Sequence, residues 1–310
     1  MEITLKDGFK APIGVVDWVA LVVELQRKSN GGHIKGAYKH LGVSYAKPLD
    51  KGDGGAASKF VVRLQHPSSY APIECLLSDL DEKYGLAAAP TLRALEVSID
   101  FFHKTADSLA LQAMTERLMV SATPSTILNP RIIGENYDFS GGVMPRRSAI
   151  SATKTLYIGN KHDDEMWRVY WKRTDETFIG EDGIRVPKPL PQSEYRSRVE
   201  VRLKGKVLEK LNLISATDLR GFSYERLHSA GFFKFARRDH RSGLIFTNPY
   251  SIAAAKSLGV DDDSPACVLN GFGRKDNRGR VRQLSRHLVT DTELTEASRH
   301  ALRRLTQRFS

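Results

Sequence analysis

Apolar and polar residues alternate along several segments of the chain in the manner that predicts β-strands. The first segment, VVDWVALVVEL at 15–25, is an apolar run rich in β-branched residues and interrupted by Asp17, which predicts a central strand buried on both faces. Five later segments predict further strands: KFVVRLQH (59–66), LRALEVSIDFF (92–102), TKTLYIGN (153–160), MWRVYWKRT (166–174) and YRSRVEVRLK (195–204).

Apolar residues at helical spacing predict helices between and after these strands. One helix begins after Pro72 and ends at Gly85, and a second covers about 107–120. Shorter helical stretches are expected within 31–43, 216–238 and 290–309. The fold class is therefore predicted to be α+β: a mostly antiparallel, curved sheet with helices packed on one face, followed by a small α-rich, basic C-terminal segment.

Charge divides the chain unevenly. The net charge is +11, yet residues 1–150 carry 17 Lys and Arg against 16 Asp and Glu, while the remainder carries 30 against 20. A basic second half predicts a polyanionic partner, most often nucleic acid, although many basic proteins bind no such partner. We expect a larger domain of sheet and helices over 1–240 and a basic DNA-binding segment over 241–310.

Composition and cysteine content predict the cellular location of the protein. The chain is 41% hydrophobic and 27% charged, and its apolar runs are too short to predict a membrane span. The two cysteines, Cys75 and Cys267, match no metal-site spacing and suit a reducing compartment. The expected location is the cytoplasm.

The predicted strands each have an apolar face and an ionic face, because side chains alternate along a strand. In the strand at 92–102, Glu96 and Asp100 share the ionic face, about 13 Å apart along the axis. At that separation the two carboxylates cannot both bind one ion, so one of them is expected to share an ion with a carboxylate from a neighbouring strand. In the strand at 166–174 the ionic face holds Arg168, Tyr170 and Lys172. In the strand at 195–204 it holds Arg196, Arg198, Glu200, Arg202 and Lys204.

Placed in one sheet, these faces would combine carboxylates, cations and a tyrosine. Carboxylates bind hard cations such as Mg²⁺ or Mn²⁺, arginines and lysines offset phosphate charge, and a tyrosine hydroxyl can act as a covalent nucleophile. Together they suit transesterification of a DNA strand. An alternative for each strand alone is a solvated surface with weak ion pairs.

The segments TLYIGNKHDDEMWRVYWKRTDE and YRSRVEVRLKG, with LRALEVSIDFF and VVDWVALVV upstream, resemble the core motifs of the Rep-trans type of replication initiation proteins. That family serves rolling-circle plasmids and filamentous phages. The resemblance runs from about residue 15 to 238 and rests on the order and spacing of short motifs. It implies site-specific DNA nicking and strand transfer through a 5′-phosphotyrosine, with a divalent metal, Mg²⁺ or Mn²⁺, in a bacterial host cell.

Position by position, the resemblance implies that Tyr170 is the nucleophile and that Glu96, Asp100 and Glu200 are metal ligands. It also implies that Arg93, Arg168, Lys172 and Arg198 contact the scissile phosphate, and Arg202 lies on the same ionic face. Expected partners are origin DNA, both double-stranded and single-stranded, host helicase and polymerase, and a second copy of the chain in a homodimer.

The sequence departs from the family pattern at some positions and leaves rival interpretations open. Trp171 stands where the family usually has an acidic residue, Glu96 stands in place of an aspartate, and Tyr157 is the rival nucleophile. No His-hydrophobic-His motif occurs among the nine histidines, which disfavours the other large class of rolling-circle initiators. The competing hypotheses are a non-catalytic DNA-binding regulator of a phage or plasmid and, less favoured, an RNA-binding protein.

The C-terminal stretch adds a DNA-binding hypothesis. GRKDNRGRVRQ is glycine-broken and arginine-rich, which is typical of a flexible basic arm. The arginines expected to grip origin DNA through phosphate contacts are Arg274, Arg278, Arg280 and Arg282. The alternative is a solvated tail without a partner.

Overall fold

The structure is a computed structural model, and it describes residues 5, 8–50, 52, 55–123, 130–134, 137–139, 153–179, 185–238 and 288–309. Statements of absence below concern these residues. The predicted contacts of Arg274, Arg278, Arg280 and Arg282 lie outside them. No described helix combines the length and the apolar composition needed to cross a membrane.

Nine strands form one large sheet in which each neighbouring pair is antiparallel. Their order across the sheet is β2-β3-β1-β4-β11-β8-β7-β5-β6. The strands are β1 (Ile13–Ser29), β2 (Val43–Pro48), β3 (Ala57–Gln65), β4 (Thr91–Phe101), β5 (Pro130–Gly134), β6 (Tyr137–Phe139), β7 (Thr155–Ile158), β8 (Glu165–Lys172) and β11 (Arg196–Lys204). Two small two-stranded sheets are formed by β9 (Thr174–Ile179) with β10 (Arg185–Pro189), and by β12 (Ala236–Arg238) with β13 (Leu288–Thr290).

Among the described residues, six α-helices accompany the sheet: α1 (Gly31–Ala37), α2 (Ala71–Tyr84), α3 (Ser108–Ser121), α4 (Gly205–Lys210), α5 (Glu225–Ser229) and α6 (Thr292–Phe309). α2 and α6 lie against β1, and α3 lies against β8 and β11. Apolar residues of these helices and of one sheet face share a single core, exemplified by Leu76, Leu118, Leu305, Val97 and Val201. The predicted α+β class, with an antiparallel sheet and helices on one face, is confirmed.

Most predicted elements are present with ends shifted by a few residues. The helix expected between Pro72 and Gly85 is α2, whose Gly85 cap adopts a positive φ of 70°. The stretch 216–238 differs from the prediction, since it holds a 3₁₀ turn, the short helix α5 and strand β12. Strand β2 was not predicted, because its sequence VSYAKP lacks a regular apolar alternation.

A β-bulge interrupts β1 at Asp17. Val16 pairs with Val97 and Trp18 pairs with Glu96, so Asp17 is an extra residue opposite no partner on β4. A bulge of this kind re-aims side chains, and here the alternation of β1 changes phase. Val16, before the bulge, and Val19, after it, both lie in the core, whereas Asp17 is buried on the opposite face of the sheet.

The terminal helix α6 belongs to the same core as the sheet. Leu294, Ala301, Leu305 and Phe309 are buried on its inner face. Its arginines are used within the fold: Arg304 and Arg308 donate to the carbonyls of Pro12 and Gly14, and Arg299 and Arg303 pair with Glu225. Within the segment expected from residue 241 onward, residues 292–309 are thus part of the main body.

Candidate functional site

The site lies on the sheet face opposite the helices, where the ionic faces of β4, β11 and β8 meet. The ladders place Glu200 opposite both Ser98 and Arg168, and Arg198 opposite both Asp100 and Tyr170. A cavity of about 500 Å³ opens over this region. The lining side chains that carry charge or a hydroxyl include Asp17, Glu96, Glu200, Tyr157, Tyr170, Arg168, Arg198, Arg202 and Lys172.

Three buried carboxylates converge at the floor of the cavity. Asp17 on β1, Glu96 on β4 and Glu200 on β11 each offer an oxygen atom, and these atoms lie within 4.8 Å of one another. Glu96 pairs with a carboxylate from a neighbouring strand, as the strand geometry predicted. Asp17 is the member that alternation did not predict, and the bulge at Asp17 is what brings it there.

Tyr170 is joined directly to this acidic cluster. Its hydroxyl donates a hydrogen bond of 2.5 Å to Oε1 of Glu200. Burial and the negative charge of Glu200 raise the pKa of the Tyr170 hydroxyl above its ordinary value near 10. The phenol is therefore held protonated, with an acceptor for its proton already in place. Tyr157 lines the same cavity, opposite Arg168 in the ladder between β7 and β8.

Two arginines hold the acidic cluster in position. Arg168 donates to Oε2 of Glu200, and its guanidinium lies over the Tyr170 ring, 4.9 Å from the centroid. Arg198 is buried and donates to Oδ1 of Asp17 at 2.9 Å. Burial acts to lower the pKa of Arg168, but attraction to Glu200 and other neighbours outweighs it and raises that pKa overall.

The acids are not equally paired. Both oxygens of Glu200 accept hydrogen bonds, from Tyr170 and Arg168. Glu96 accepts one hydrogen bond, of 2.7 Å, from the Trp18 indole, and no described cation lies within ion-pair distance of it. Burial, then the charge of Glu200, raises the pKa of Glu96 to about 7.

These residues fit a divalent cation. Oδ2 of Asp17 is buried and has no hydrogen-bond partner among the described residues, which is a costly state for a carboxylate oxygen. Glu96 likewise lacks a described ion pair. Three clustered carboxylates are the ligand type that Mg²⁺ and Mn²⁺ prefer. An ion bound between them would supply the missing partner of Asp17 and offset the charge that Glu96 experiences.

Asp100, expected as a metal ligand, lies outside the acidic cluster. Its two oxygens accept hydrogen bonds of 2.5 Å each from Arg198, and Arg196 lies 3.2 Å away. Asp100 and Arg198 stand opposite each other on adjacent strands, so the carboxylate forms a buried, bidentate ion pair. Asp17 occupies the third place in the cluster instead.

The remaining cationic residues are placed as follows. Lys172 is buried and forms a 2.8 Å ion pair with Asp175, and Arg202 donates to the carbonyl of Asn160 at 3.1 Å; both line the cavity. Arg93 is exposed near the start of β4 and does not line the cavity.

Comparisons with known proteins add little to this geometry. No protein-family model matches the sequence, and no curated protein matches it. A solved structure described as a rolling circle replication initiator protein from Geobacillus stearothermophilus is similar at 13% identity, over 96% of this chain and 100% of that chain. The TM-score is 0.36, at which the likeness supports no conclusion about fold or function.

Sequence reasoning missed Asp17 as a functional residue. A signal was present, since Asp17 is the one charged residue within the apolar run 15–23. A carboxylate inside a strand of this kind is rarely buried unless it is paired or binds a metal ion. Its face could not be assigned from alternation, because the bulge inverts the phase at that residue.

Proposed function

We propose that this protein is a tyrosine-dependent DNA-nicking and strand-transfer enzyme that initiates rolling-circle replication, with Tyr170 as nucleophile. The observation that carries the proposal is the Tyr170 hydroxyl, 2.5 Å from Glu200 and beside a cluster of three buried carboxylates. A tyrosine that served only for packing would not need a hydrogen-bonded carboxylate and an acidic cluster beside its hydroxyl. The resemblance of the sequence motifs to replication initiators gives the substrate class.

The proposed step is a phosphoryl transfer. The Tyr170 oxygen forms a bond to the scissile phosphorus, and the bond from phosphorus to the 3′ oxygen breaks. The phenolic proton passes to Glu200, which already accepts it in a hydrogen bond. The departing 3′ oxygen takes a proton from solvent, and Glu200 then releases its proton to solvent, so that no net charge is left behind. The products are a 5′-phosphotyrosine and a free 3′-OH, and the reverse of the same step rejoins strands.

Positive side chains offset the charge of the phosphate. Arg168 and Arg202 line the cavity, and Arg198 sits beneath it against the carboxylates. Guanidinium groups offer donors with a geometry that matches phosphate oxygens. We propose that Asp17, Glu96 and Glu200 hold Mg²⁺ or Mn²⁺. When bound, such an ion polarises a phosphate oxygen.

The test is incubation with supercoiled DNA of the genetic element that encodes the protein, in Mn²⁺ or in EDTA. Nicked circles and a covalent protein–DNA adduct are expected in Mn²⁺ alone. Tyr170→Phe should keep DNA binding and lose both products, since it removes only the hydroxyl. Tyr157→Phe is the matched control, as it removes a second hydroxyl from the same cavity, and it should retain both products.

Two outcomes would contradict the proposal. An adduct that persists in Tyr170→Phe and disappears in Tyr157→Phe would identify the other tyrosine. DNA binding by the wild type with no nicking in any divalent ion would favour the non-catalytic regulator. The further partners that we propose, namely origin DNA, host helicase and polymerase, and a second copy of the chain, follow only if nicking is observed.

A further inference from the structure

A stack of three side chains lies on the same sheet face as the acidic cluster, toward the β2 edge. Arg63 on β3 lies between the rings of Trp18 on β1 and Tyr45 on β2, with its guanidinium carbon 5.5 Å from each ring centroid. Tyr45 stands opposite Arg63 in the ladder, and Trp18 is one strand further in. We call these three residues the aromatic stack.

The aromatic stack is joined to the acidic cluster by one hydrogen bond. The indole Nε1 of Trp18 donates to Oε1 of Glu96 at 2.7 Å. Trp18 and Arg63 both line the cavity that contains Tyr170. The stack and the acidic cluster therefore form one continuous surface across β2, β3, β1 and β4.

The stack is partly exposed, and its charge has no ion-pair partner among the described residues. Tyr45 is 39% exposed. No described carboxylate lies within ion-pair distance of Arg63, and its Nε is buried without a hydrogen-bond partner. Beside the stack, Ala20, Val61 and Ala94 form a small buried apolar cluster, against which Trp18 and Val22 pack.

We infer that the aromatic stack binds the bases of single-stranded DNA next to the bond that Tyr170 cleaves. The inference rests on the proposed function. Bases stack on aromatic rings and on guanidinium planes irrespective of sequence, and a positive surface tracks the phosphates. The stack supplies the planar faces, and Arg63 and Arg202, for which the described residues offer no ion pair, supply positive charge along the cavity.

The experiment measures binding of two fluorescent 12-mers to the full chain in EDTA. One probe is dT12, and the other is an abasic 12-mer with the same phosphates and no bases. Stacking of even one base should make dT12 bind about tenfold more tightly than the abasic probe. Tyr45→Ala and Arg63→Ala should each reduce that ratio to threefold or less, while Tyr45→Phe, which keeps the ring, should preserve it.

Arg173→Ala is the matched control. Arg173 also lies over an aromatic ring, 4.6 Å from the Trp171 centroid, but it does not line the cavity. The substitution removes one charge and one ring contact and should leave the ratio near tenfold. Thermal unfolding of each variant confirms that it is folded.

Equal affinity of the wild type for both probes would overturn the inference, as would an unchanged ratio in Tyr45→Ala and Arg63→Ala. A merely electrostatic role of Arg63 would weaken both probes equally and also overturn it. Because no cleavage occurs in EDTA, the result is independent of nicking. An adduct with supercoiled DNA and a ratio of one would refute the aromatic stack alone, and a high ratio without an adduct would refute the nicking alone.

Discussion

Glu96 should destabilise the metal-free protein, and its replacement by glutamine should reveal by how much. The pKa of Glu96 is raised from 4.5 to about 7, because burial and the charge of Glu200 disfavour its ionised form. The folded state therefore binds the proton more tightly than the unfolded state. Stability contributed by this site is greatest below the unfolded pKa, falls as the pH rises through about 5 to 7, and stays low above it.

The magnitude follows from the shift. A difference of about 2.5 pKa units corresponds to roughly 3 kcal/mol at pH 8, as an order of magnitude. Glu96→Gln removes the charge and keeps an oxygen that can accept the Trp18 hydrogen bond. In EDTA the variant should be more stable than the wild type at pH 8 by up to that amount, and nearly equal at pH 4.

Urea unfolding in EDTA at the two pH values measures this difference. In Mn²⁺ the difference should shrink: the wild type gains stability by mass action, about 2.7 kcal/mol at a hundredfold excess over the dissociation constant. Glu96→Gln should gain much less. A variant that is less stable than the wild type in EDTA at pH 8 would refute the reasoning, because it would mean that the Glu96 charge is compensated within the fold.

Four further changes test other parts of the molecule. Asp17→Asn and Asp100→Asn both break a buried ion pair with Arg198 and should cost about 3 kcal/mol, but only Asp17→Asn should abolish the stabilisation by Mn²⁺ in thermal unfolding. Gly14→Ala should destabilise the fold by about 1–3 kcal/mol in urea, because a Cβ there would lie 2.9 Å from the carbonyl oxygen of Ala301. A variant in which a short Gly-Ser linker replaces residues 241–286 tests the basic segment, with thermal unfolding as the check that the variant is folded. If the arginines of that segment bind phosphates, the replacement should flatten the salt dependence of duplex binding by about 0.9 for each phosphate that is no longer neutralised; an unchanged salt slope would return that role to the sheet.

The faces of the strands were predictable, since alternation is a local property. It placed Glu200 and Tyr170 on ionic faces, and the sheet brings them together as neighbours on β11 and β8. The choice of partner for each charge was not predictable, because it depends on the order of strands. Asp100 stands opposite Arg198 and is consumed in an ion pair, whereas Glu96 stands opposite Arg202 and remains without one.

The bulge at Asp17 marks a second limit. Alternation assumes one residue for one across a ladder, and a single extra residue inverts the phase for the rest of the strand. The terminal helix marks a third limit. It belongs to the basic segment that was expected to bind DNA, yet its apolar face, Leu294 to Phe309, packs into the core. Charge alone does not distinguish an arginine that binds phosphate from one that donates to a backbone carbonyl.

The contact between α6 and β1 also constrains the order of events during synthesis. Strand β1 is central in the sheet and carries Asp17, yet its outer end near Gly14 is covered by Ala301 and Leu305 of α6. When the sheet strands have left the ribosome but residues 292–309 have not, the core along β1 is still uncovered. Packing around this end of β1 should therefore be complete only after residues 292–309 have emerged.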